Sequence, residues 1–442
     1  MDWGKLPDLA AVALLATAFA AVSRRSQASV SKLWLTGWVM IALHFAALIF
    51  MPAPGKLGTI AAFFGLASLT WAGILFMWAS VPYRKRASSL WMLVVLLGTN
   101  TLYIAIILVD PTPFWALAPA AVLIGVLPLV LALLNVQREK HPLRWTLVAL
   151  YCALSVFLLV FQHRPDNGLS LALNAMLFTV YFGCCLHFLH AYRRRTAGAF
   201  ITIAGFLGWA GVFVVAPSMG TILPKLQLES EVWNLPKYIV AVGMILLLLE
   251  EQIEHSEYLA LHDELTGLPN RRLFHDRLGN ALERARRNGT CTALLLVDLD
   301  RFKQVNDTQG HHIGDQLLRR VGTVFSDRIR RSDTVARTGG DEFSIILDDP
   351  ISREDAERVG HTLIELLGAP FELGNQTMSI GASMGIALFP EDATDAEGLC
   401  IAADLRMYDS KNKAGQFGKL ARLPVSAAFP QSDDQARSRQ VG

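Results

Sequence analysis

The four residues GGDE at 339–342 stand between two short apolar runs, at 334–337 and 343–347. Such runs are typical of strands, and paired glycines between them predict a tight hairpin. Glycine lets the backbone approach a phosphate closely, and a carboxylate beside it can hold Mg²⁺ against that phosphate. The stretch therefore predicts a turn that binds a metal ion and a phosphorylated ligand.

A further acidic residue follows a different apolar run. Residues 291–297 (CTALLLV) suit a buried strand, and Asp298 comes directly after them. A carboxylate at a strand end is held rigidly at the edge of a sheet, and Lys303, on the following turn, can reach a phosphate. A single strand-end aspartate is more often a cap or a solvated turn. The ordered occurrence of several such elements favours a functional site.

These stretches together resemble the signatures of the GGDEF family, the diguanylate cyclases. The matching stretches are DELTGLPNR at 263–271, DLDRFKQVND at 298–307, GHHIGD at 310–315, GGDEF at 339–343 and ADLRMYDSK at 403–411. The resemblance covers about residues 258–418. It implies an α/β domain at 263–420 with a cyclase/polymerase-palm core, in which helices flank a mostly antiparallel central sheet.

The resemblance implies a metal site and a catalytic group. The metal is Mg²⁺, with Mn²⁺ as the alternative, and its implied ligands are Asp298, the carbonyl of Leu299, Asp341 and Glu342. The implied catalytic residues are Asp341, Glu342, which could also activate the attacking hydroxyl, and Lys303, which offsets phosphate charge in the transition state. Asp300 and Phe302 match the family as structural positions.

The resemblance also implies residues that bind the substrate GTP. An amide and a carboxylate suit the acceptor and donors of guanine, and Asn306 and Asp315 occupy those positions. The implied substrate-binding residues are Asn306, His311, Asp315, Gly339, Gly340 and Lys411. The chain departs from the family after Lys411, because Gly415 comes one residue late and Gln416 replaces the usual arginine. Lys413 is a candidate substitute for that arginine.

Arg330 and Asp333 form an RxxD element five residues before Gly339. In the family this position is the inhibitory site for the product, and a guanidinium offers paired donors to phosphate or to guanine. The alternative is a charged helix end, since the sequence predicts a helix over 312–331.

The implied reaction condenses two GTP into cyclic di-GMP and releases two pyrophosphates. Each domain holds one GTP, so the enzyme acts as an antiparallel homodimer. The alternative is a catalytically silent domain that binds GTP or cyclic di-GMP as a receptor. The net charge of +2 and the dispersed basic residues give no indication of nucleic acid binding.

The first half of the chain has a different composition. Of the 38 acidic residues, only Asp2, Asp8, Asp110, Glu139 and Asp166 precede residue 229. A spanning helix needs about 20 mostly apolar residues. We expect an all-α polytopic membrane domain at 1–249 that acts as a sensor in contact with lipid. Its nine predicted spans are 8–23, 33–51, 57–81, 88–109, 113–136, 145–162, 169–191, 199–222 and 233–249.

The charges of the connections predict the orientation. Loops after the first, third, fifth and seventh spans hold Arg24, Arg25, Lys32, Arg84, Lys85, Arg86, Arg138, Lys140, Arg144, Arg193, Arg194 and Arg195. The opposite loops hold only Lys56, Arg164, Lys225 and Lys237. Cytoplasmic loops carry the Lys/Arg excess, so we expect the N-terminus outside and the C-terminal domain in the cytoplasm. The membrane would be the bacterial inner membrane.

Other interpretations of this half remain. A cleaved signal peptide is disfavoured, because Asp2 and Asp8 balance Lys5. A transporter is disfavoured by the lack of Gly/Pro-interrupted paired spans. Polar residues inside predicted spans are His44, Asn100, Asn174, His187 and His190. The last two share a helix face and are either metal or haem ligands or a proton sensor, or else interfacial histidines.

Two segments complete the chain. Residues 250–262 pass from the last span into the soluble half without Gly or Pro, as either a transmitting helix or a passive tether. Residues 421–442 are polar, and we expect them to be disordered.

Overall fold

The long apolar runs of the first half and the mixed pattern of the second half fold into separate units. The computed structural model describes residues 1–24, 29–80, 87–109, 112–135, 142–162, 164, 167–192, 196–222, 230–348, 351–373, 376–413 and 420–421. Contacts divide the chain into Met1–Glu254 and His255–Gly442.

The N-terminal unit is helical. Among the described residues, nine helices are long and apolar enough to cross a membrane, as the sequence predicts. They are α1 (Leu6–Ser23), α2 (Ser29–Phe50), α3 (Lys56–Ala79), α4 (Ala87–Ile107), α5 (Phe114–Leu134), α6 (Pro142–Phe161), α7 (Gly168–Ala191), α8 (Ala197–Ile222) and α9 (Ser230–Leu261). The last helix continues through most of the expected linker.

Two hydrogen bonds fix the relative direction of the first and last of these helices. Near one end, the Asn234 amide donates to Asp8 at 2.9 Å, and near the other end Gln252 donates to the Val22 carbonyl at 3.1 Å. Residue numbers rise in the same order in both helices, so α1 and α9 run parallel. This agrees with the predicted nine spans, because the first and the ninth span would cross the membrane in the same direction.

Four basic residues that we expected in loops lie inside helices, namely Lys32, Lys56, Arg144 and Lys237, and the last two are buried. Arg144 is buried near the start of α6, and its Nη2 donates to the Leu131 carbonyl in the last turn of α5 at 2.6 Å. Lys237 is buried in α9. An arginine can satisfy carbonyls at a helix end, and hydrogen-bonded charge can be buried where loose charge cannot. The loop assignment of all four residues was therefore wrong.

Much of the charge pattern falls outside the described residues. This applies to Arg25, Arg84, Lys85, Arg86, Arg138, Lys140, Arg193, Arg194, Arg195 and Lys225. It also applies to Gly415, Gln416 and most of the expected tail, 422–442.

The C-terminal unit alternates helices and strands after α9. Its elements are α10 (Arg271–Asn288), β1 (Thr292–Leu299), α11 (Phe302–Gln309), α12 (His311–Arg328), β2 (Thr334–Arg337), β3 (Glu342–Asp348), α13 (Arg353–Gly368), β4 (Phe371–Leu373), β5 (Gln376–Met378), β6 (Ala382–Phe389), α14 (Ala396–Lys413) and β7 (Leu420–Ala421).

The main sheet has the order β2-β3-β1-β6-β7. The first four strands pair antiparallel, and β7 pairs parallel with β6. Alternate residues of β1 enter two cores, because successive side chains point to opposite faces. Leu295 and Val297 pack with α12 and α13, whereas Leu294 packs with α10 and α14. The predicted α/β fold with a mostly antiparallel sheet is confirmed.

Three details of the helices and strands differ from the sequence prediction. The α12 helix ends at Arg328, three residues before the predicted end. The apolar run at 378–389 is split, with β5 ending at Met378 and β6 beginning at Ala382. Lys303 lies in the helix α11 and not on a simple turn. Apolar runs do not mark where a strand turns away from its neighbour, so the pattern alone misplaces such ends.

The predicted topology can be tested with reporter fusions. We expect a reporter fused after residue 86 or 195 to report the cytoplasm, because basic residues keep those loops inside. A reporter fused after residue 56 or 110 should report the outside. Fusions that give the reverse pattern would contradict the assigned orientation.

Candidate active site at the end of the central strands

The ends of β1 and β3 bring acidic residues together. Asp298 lies directly opposite Glu342 in the antiparallel register of these strands, and opposite Ser383 on the other side. The Leu299 amide donates to the Asp341 carbonyl at 3.2 Å. Residues separated by more than forty positions in sequence are therefore adjacent because the strands pair in this register.

A cavity of about 770 Å³ opens at this end of the sheet. Five of the residues singled out from the sequence border it, namely Asp298, Leu299, Lys303, Asp341 and Lys411. The cavity has room for a nucleoside triphosphate, and its lining combines three cationic side chains with three carboxylates, since Asp300 and Arg301 border it as well. Such a combination suits an anionic ligand held through a metal ion.

Lys411 of α14 forms an ion pair with Asp298, with Nζ 2.7 Å from Oδ2. Burial raises the pKa of Asp298 above its usual value, and the charges of Asp341 and Glu342 raise it further. The Lys411 ammonium acts in the opposite direction. The site thus concentrates negative charge that one lysine offsets only in part.

The donor set of this edge fits a hard divalent cation. Asp298 and Asp341 offer carboxylate oxygens, and Leu299 offers a backbone carbonyl beside them. Mg²⁺ prefers such oxygen ligands, and a divalent cation would relieve the repulsion that raises the pKa of Asp298. Among the described residues, however, no three His, Cys, Asp or Glu side chains are already grouped as a metal site.

The reason is the orientation of Glu342. Its carboxylate packs against Gly339, where an added Cβ would overlap it. Glu342 borders a separate cavity of about 310 Å³ between α10 and α14, together with Thr338. Neither Gly339 nor Gly340 has a positive φ, so the first glycine is required here by the space that Glu342 occupies.

The residues expected to read guanine lie on α11 and α12, beside the cavity and not along it. Asn306 of α11 places its Oδ1 against Gly314 of α12, where a Cβ would overlap that oxygen. Asp315 follows Gly314 directly, and His311 is the first residue of α12. The Asn306 amide thus lies against the residue that directly precedes Asp315. Gly314 is the residue that leaves room for the amide.

Arg337 is a site residue that our sequence analysis missed. Its Nη1 binds both oxygens of Asp263, at 2.9 and 3.0 Å, and its Nη2 donates to the Gly340 carbonyl at 2.7 Å. Its backbone amide donates to the Pro269 carbonyl. Burial raises the pKa of Asp263, but the hydrogen bonds and the charge of Arg337 act in the opposite direction and help to hold it below its usual value. This one arginine therefore joins the DELTGLPN turn to the GGDE turn.

The DELTGLPN turn is in turn bonded to the end of α9. The Asn270 side chain donates to the Ala260 carbonyl at 2.9 Å and caps α10 by accepting from the Arg272 and Leu273 amides. The Asn270 backbone amide donates to the Leu261 carbonyl. A continuous set of hydrogen bonds thus runs from the last turn of α9 to Gly340.

Asp300 is held by the neighbouring strand. Its Oδ1 accepts from the Ser383 hydroxyl at 2.7 Å, and its amide donates to the Gly381 carbonyl at 2.9 Å. Arg301 follows with a positive φ of 58°, a conformation that is uncommon outside glycine. These contacts fix the loop that leads from β1 to Lys303.

Arg330 and Asp333 form a turn beyond the end of α12. The two oxygens of Asp333 accept from the amides of Arg330 and Asp348, at 2.9 and 3.2 Å. The side chain of Arg330 is exposed. Asp333 therefore shapes the turn and joins it to β3, whereas the Arg330 guanidinium faces solvent. The pair is not part of a helix end.

The comparisons with known proteins agree on the C-terminal unit. A sequence model of the family described as "Diguanylate cyclase, GGDEF domain" matches residues 260–416. The bifunctional diguanylate cyclase/cyclic di-GMP phosphodiesterase MucR of Pseudomonas aeruginosa is 28% identical over 414 residues, which cover 87% of this chain and 58% of MucR.

Two further similarities concern one relative. The diguanylate cyclase TpbB of Pseudomonas aeruginosa is 39% identical over 176 residues, which cover 40% of this chain and 40% of TpbB. The crystal structure of the TpbB GGDEF domain has a TM-score of 0.35 at 40% identity, and the match covers 36% of this chain and 99% of that domain. This chain spans less than two thirds of either curated relative.

The role of Gly314 can be tested by adding one methyl group. In Gly314→Ala the Cβ must displace the Asn306 oxygen, so we expect guanine nucleotide affinity to fall about tenfold or more. The matched control is Gly279→Ala in α10, where a Cβ meets nothing within 4 Å. The control should bind as the wild type does and unfold at a higher temperature, because alanine is about 1 kcal/mol better than glycine in a helix. Calorimetric titration with GTP measures the affinity of the two variants. Unchanged binding by Gly314→Ala would contradict the assignment of Asn306 to guanine binding.

Proposed function

Because residues 260–416 carry a GGDEF domain, we propose that this protein is a membrane-bound diguanylate cyclase. It condenses two GTP into cyclic di-GMP and releases two pyrophosphates. The observation that carries the proposal is the single cavity bordered by Asp298, Leu299, Lys303, Asp341 and Lys411. Carboxylates and cationic side chains brought together at the end of paired strands suit the transfer of a nucleotidyl group.

The reaction needs in-line attack on two α-phosphates. The 3′-oxygen of each GTP forms a bond to the α-phosphorus of the other, and the bond to the pyrophosphate oxygen breaks. Asp298, Asp341 and the Leu299 carbonyl would hold Mg²⁺, with Mn²⁺ as the alternative, and such an ion would supply positive charge to offset that of the phosphates. Lys303 and Lys411 contact the phosphate oxygens, where positive charge stabilises the transition state. Glu342 joins the acidic set once its carboxylate turns away from Gly339.

The guanine base is bound beside the cavity. Asn306 and Asp315 present an acceptor, a donor and a charged acceptor to the Watson–Crick edge of guanine. His311 lines the same pocket from the start of α12. Gly340 leaves the backbone of the turn open to the phosphates, and Gly339 does so once the Glu342 carboxylate turns away. GTP rather than ATP follows from this pattern, because adenine has no oxygen acceptor at that edge.

The arrangement needs two copies of the chain. One domain binds one GTP, and the attacking hydroxyl comes from the GTP of a second domain, so the active form is a homodimer. The helical unit lies in the lipid of the bacterial inner membrane with the GGDEF domain in the cytoplasm. It regulates the geometry of the dimer through α9.

Removal of one carboxylate tests the metal and catalytic assignment. We expect Asp341→Asn to lower the rate of cyclic di-GMP synthesis by about 10²-fold or more, because it removes a metal ligand from the turn. Asp327→Asn, an exposed carboxylate on α12, is the control and should keep the wild-type rate. Both proteins should unfold at the same temperature as the wild type.

The same assay separates the enzyme from the receptor alternative. The wild-type protein, purified with lipid and given GTP and Mg²⁺, should accumulate cyclic di-GMP and pyrophosphate in a ratio of about one to two. A wild-type protein that binds GTP or cyclic di-GMP but forms no product would be a receptor. Near-normal synthesis by a well-folded Asp341→Asn would refute the metal site.

Product inhibition at Arg330 completes the proposal. The exposed guanidinium offers paired donors to phosphate or guanine, and Asp333 holds the turn that presents it. Cyclic di-GMP can inhibit without competing with GTP only if it binds more tightly to an arrangement of the dimer in which the two GGDEF domains are held apart.

Progress curves test this site. Arg330→Ala should leave the initial rate unchanged, because Arg330 lies outside the cavity, but its late rate should exceed that of the wild type. Arg331→Ala, the adjacent exposed arginine, should slow with added cyclic di-GMP as the wild type does. Equal slowing of Arg330→Ala and wild type would remove Arg330 from the inhibitory site.

A further inference from the structure

Three polar side chains join α1 to α9 inside the helical unit, and none was recognised from the sequence. Asp8, Asn234 and Lys237 are only 7%, 6% and 9% exposed. Lys237 donates from Nζ to Asn234 Oδ1 at 2.5 Å, and Asn234 donates from Nδ2 to Asp8 Oδ1 at 2.9 Å. The amide therefore bridges a carboxylate and an ammonium, with each of its two ends used once.

Aromatic rings surround the ammonium group. The Lys237 nitrogen lies 4.9 Å from the centre of the Phe45 ring and 5.9 Å from that of Trp209. These residues belong to α2 and α8, so four helices meet at the cluster. The other titratable groups that act on it are Lys5 before α1 and His44 of α2, whose Nδ1 is bonded to the Gly65 carbonyl at 2.7 Å.

Buried charge of this kind is costly. Ionisable residues within membrane helices are rare and mark ion pathways, proton relays or sensors. A buried pair is also poor evidence for stability, because apolar side chains of the same volume often do as well or better. The burial of Asp8, Asn234 and Lys237 together therefore indicates a role other than packing.

We infer that Asp8, Asn234 and Lys237 form a proton-binding site that controls the contact between α1 and α9. In the structure Asp8 accepts a hydrogen bond from the amide, as an ionised carboxylate does. A proton from the external water that binds to Asp8 converts this acceptor into a donor. If the proton binds Oδ2, the Asn234 Nδ2 group keeps Oδ1 as its acceptor, but a neutral carbonyl accepts more weakly than a carboxylate. The Lys237 charge loses its counter-charge among aromatic rings.

Both changes weaken the attachment of α9 to α1 near the start of α9. The same helix ends at Leu261, whose carbonyl accepts from the Asn270 amide. In this inference, α9 carries the change at Asn234 toward the DELTGLPN turn. Control of synthesis by this site rests on the proposed cyclase function, whereas proton binding itself does not.

The experiment uses the full chain reconstituted in vesicles that hold GTP and Mg²⁺ inside at constant pH. External pH is lowered, and two quantities are measured. Infrared difference spectra report the C=O stretch of a newly protonated carboxyl group, and product analysis reports the rate of cyclic di-GMP synthesis. The variants are Asp8→Asn, which matches the shape of the protonated residue, Lys237→Met, and the control Asp2→Asn, an exposed carboxylate six residues earlier.

We expect the carboxyl band to appear in the wild type and in Asp2→Asn and to be absent in Asp8→Asn. The rate of cyclic di-GMP synthesis should change about fivefold or more with external pH in the wild type and in Asp2→Asn. In Asp8→Asn it should stay at the low-pH value of the wild type. In Lys237→Met the band should appear at a higher external pH, because the ammonium no longer stabilises the carboxylate.

The possible results are distinct. Absence of any new carboxyl band in the wild type overturns the proton site, and this result does not depend on whether Asp8→Asn folds. A band that persists in folded Asp8→Asn overturns it as well. A band accompanied by a rate that ignores external pH overturns the coupling to α9. A band without cyclic di-GMP at any pH supports the proton site and contradicts the proposed cyclase function instead.

Discussion

The C-terminal unit depends on the antiparallel register of β1 and β3. This register sets Asp298 opposite Glu342 and the Leu299 amide against the Asp341 carbonyl. Carboxylates on neighbouring strands repel one another, and burial makes their charged forms still less favourable. The folded protein tolerates them because Lys411 reaches in from α14 and because the strands behind them are fully packed. The ion pair leaves negative charge in excess, which is the condition for attracting a divalent cation.

The loops around this edge are fixed by neighbours that do no chemistry themselves. Arg337 holds Gly340 and Asp263 together, and Ser383 holds Asp300. Preorganised contacts of this type matter because a displacement of about 1 Å at a reacting group can cost about 10²-fold in rate. Arg337 is also bonded to the Pro269 carbonyl of the DELTGLPN turn, whose Asn270 is bonded to the last turn of α9, so one arginine contacts both the GGDE turn and the turn that follows α9.

In the helical unit, a few hydrogen bonds hold α9 against neighbouring helices. Hydrogen bonds join α9 to α1 at both ends, through Asn234 and Gln252, and Glu250 accepts from the Gly198 amide at the start of α8 at 3.1 Å. Apolar packing between helices has little directional preference in lipid, whereas hydrogen bonds specify position and can be broken by a single proton. These few contacts therefore decide where α9 is held.

The sequence by itself determined the two-part organisation, nine apolar helices, the α/β class and the motif residues. Local patterns carry that information: apolar runs set the helices and strands, and Gly289 and Asn270 mark the two ends of α10. Tertiary structure alone decided which residues meet. The partnership of Arg337 with Asp263 joins positions 74 residues apart, and that of Asn234 with Asp8 joins positions 226 apart. Lys237 was misread as a loop charge, because burial depends on long-range neighbours that no local spacing encodes.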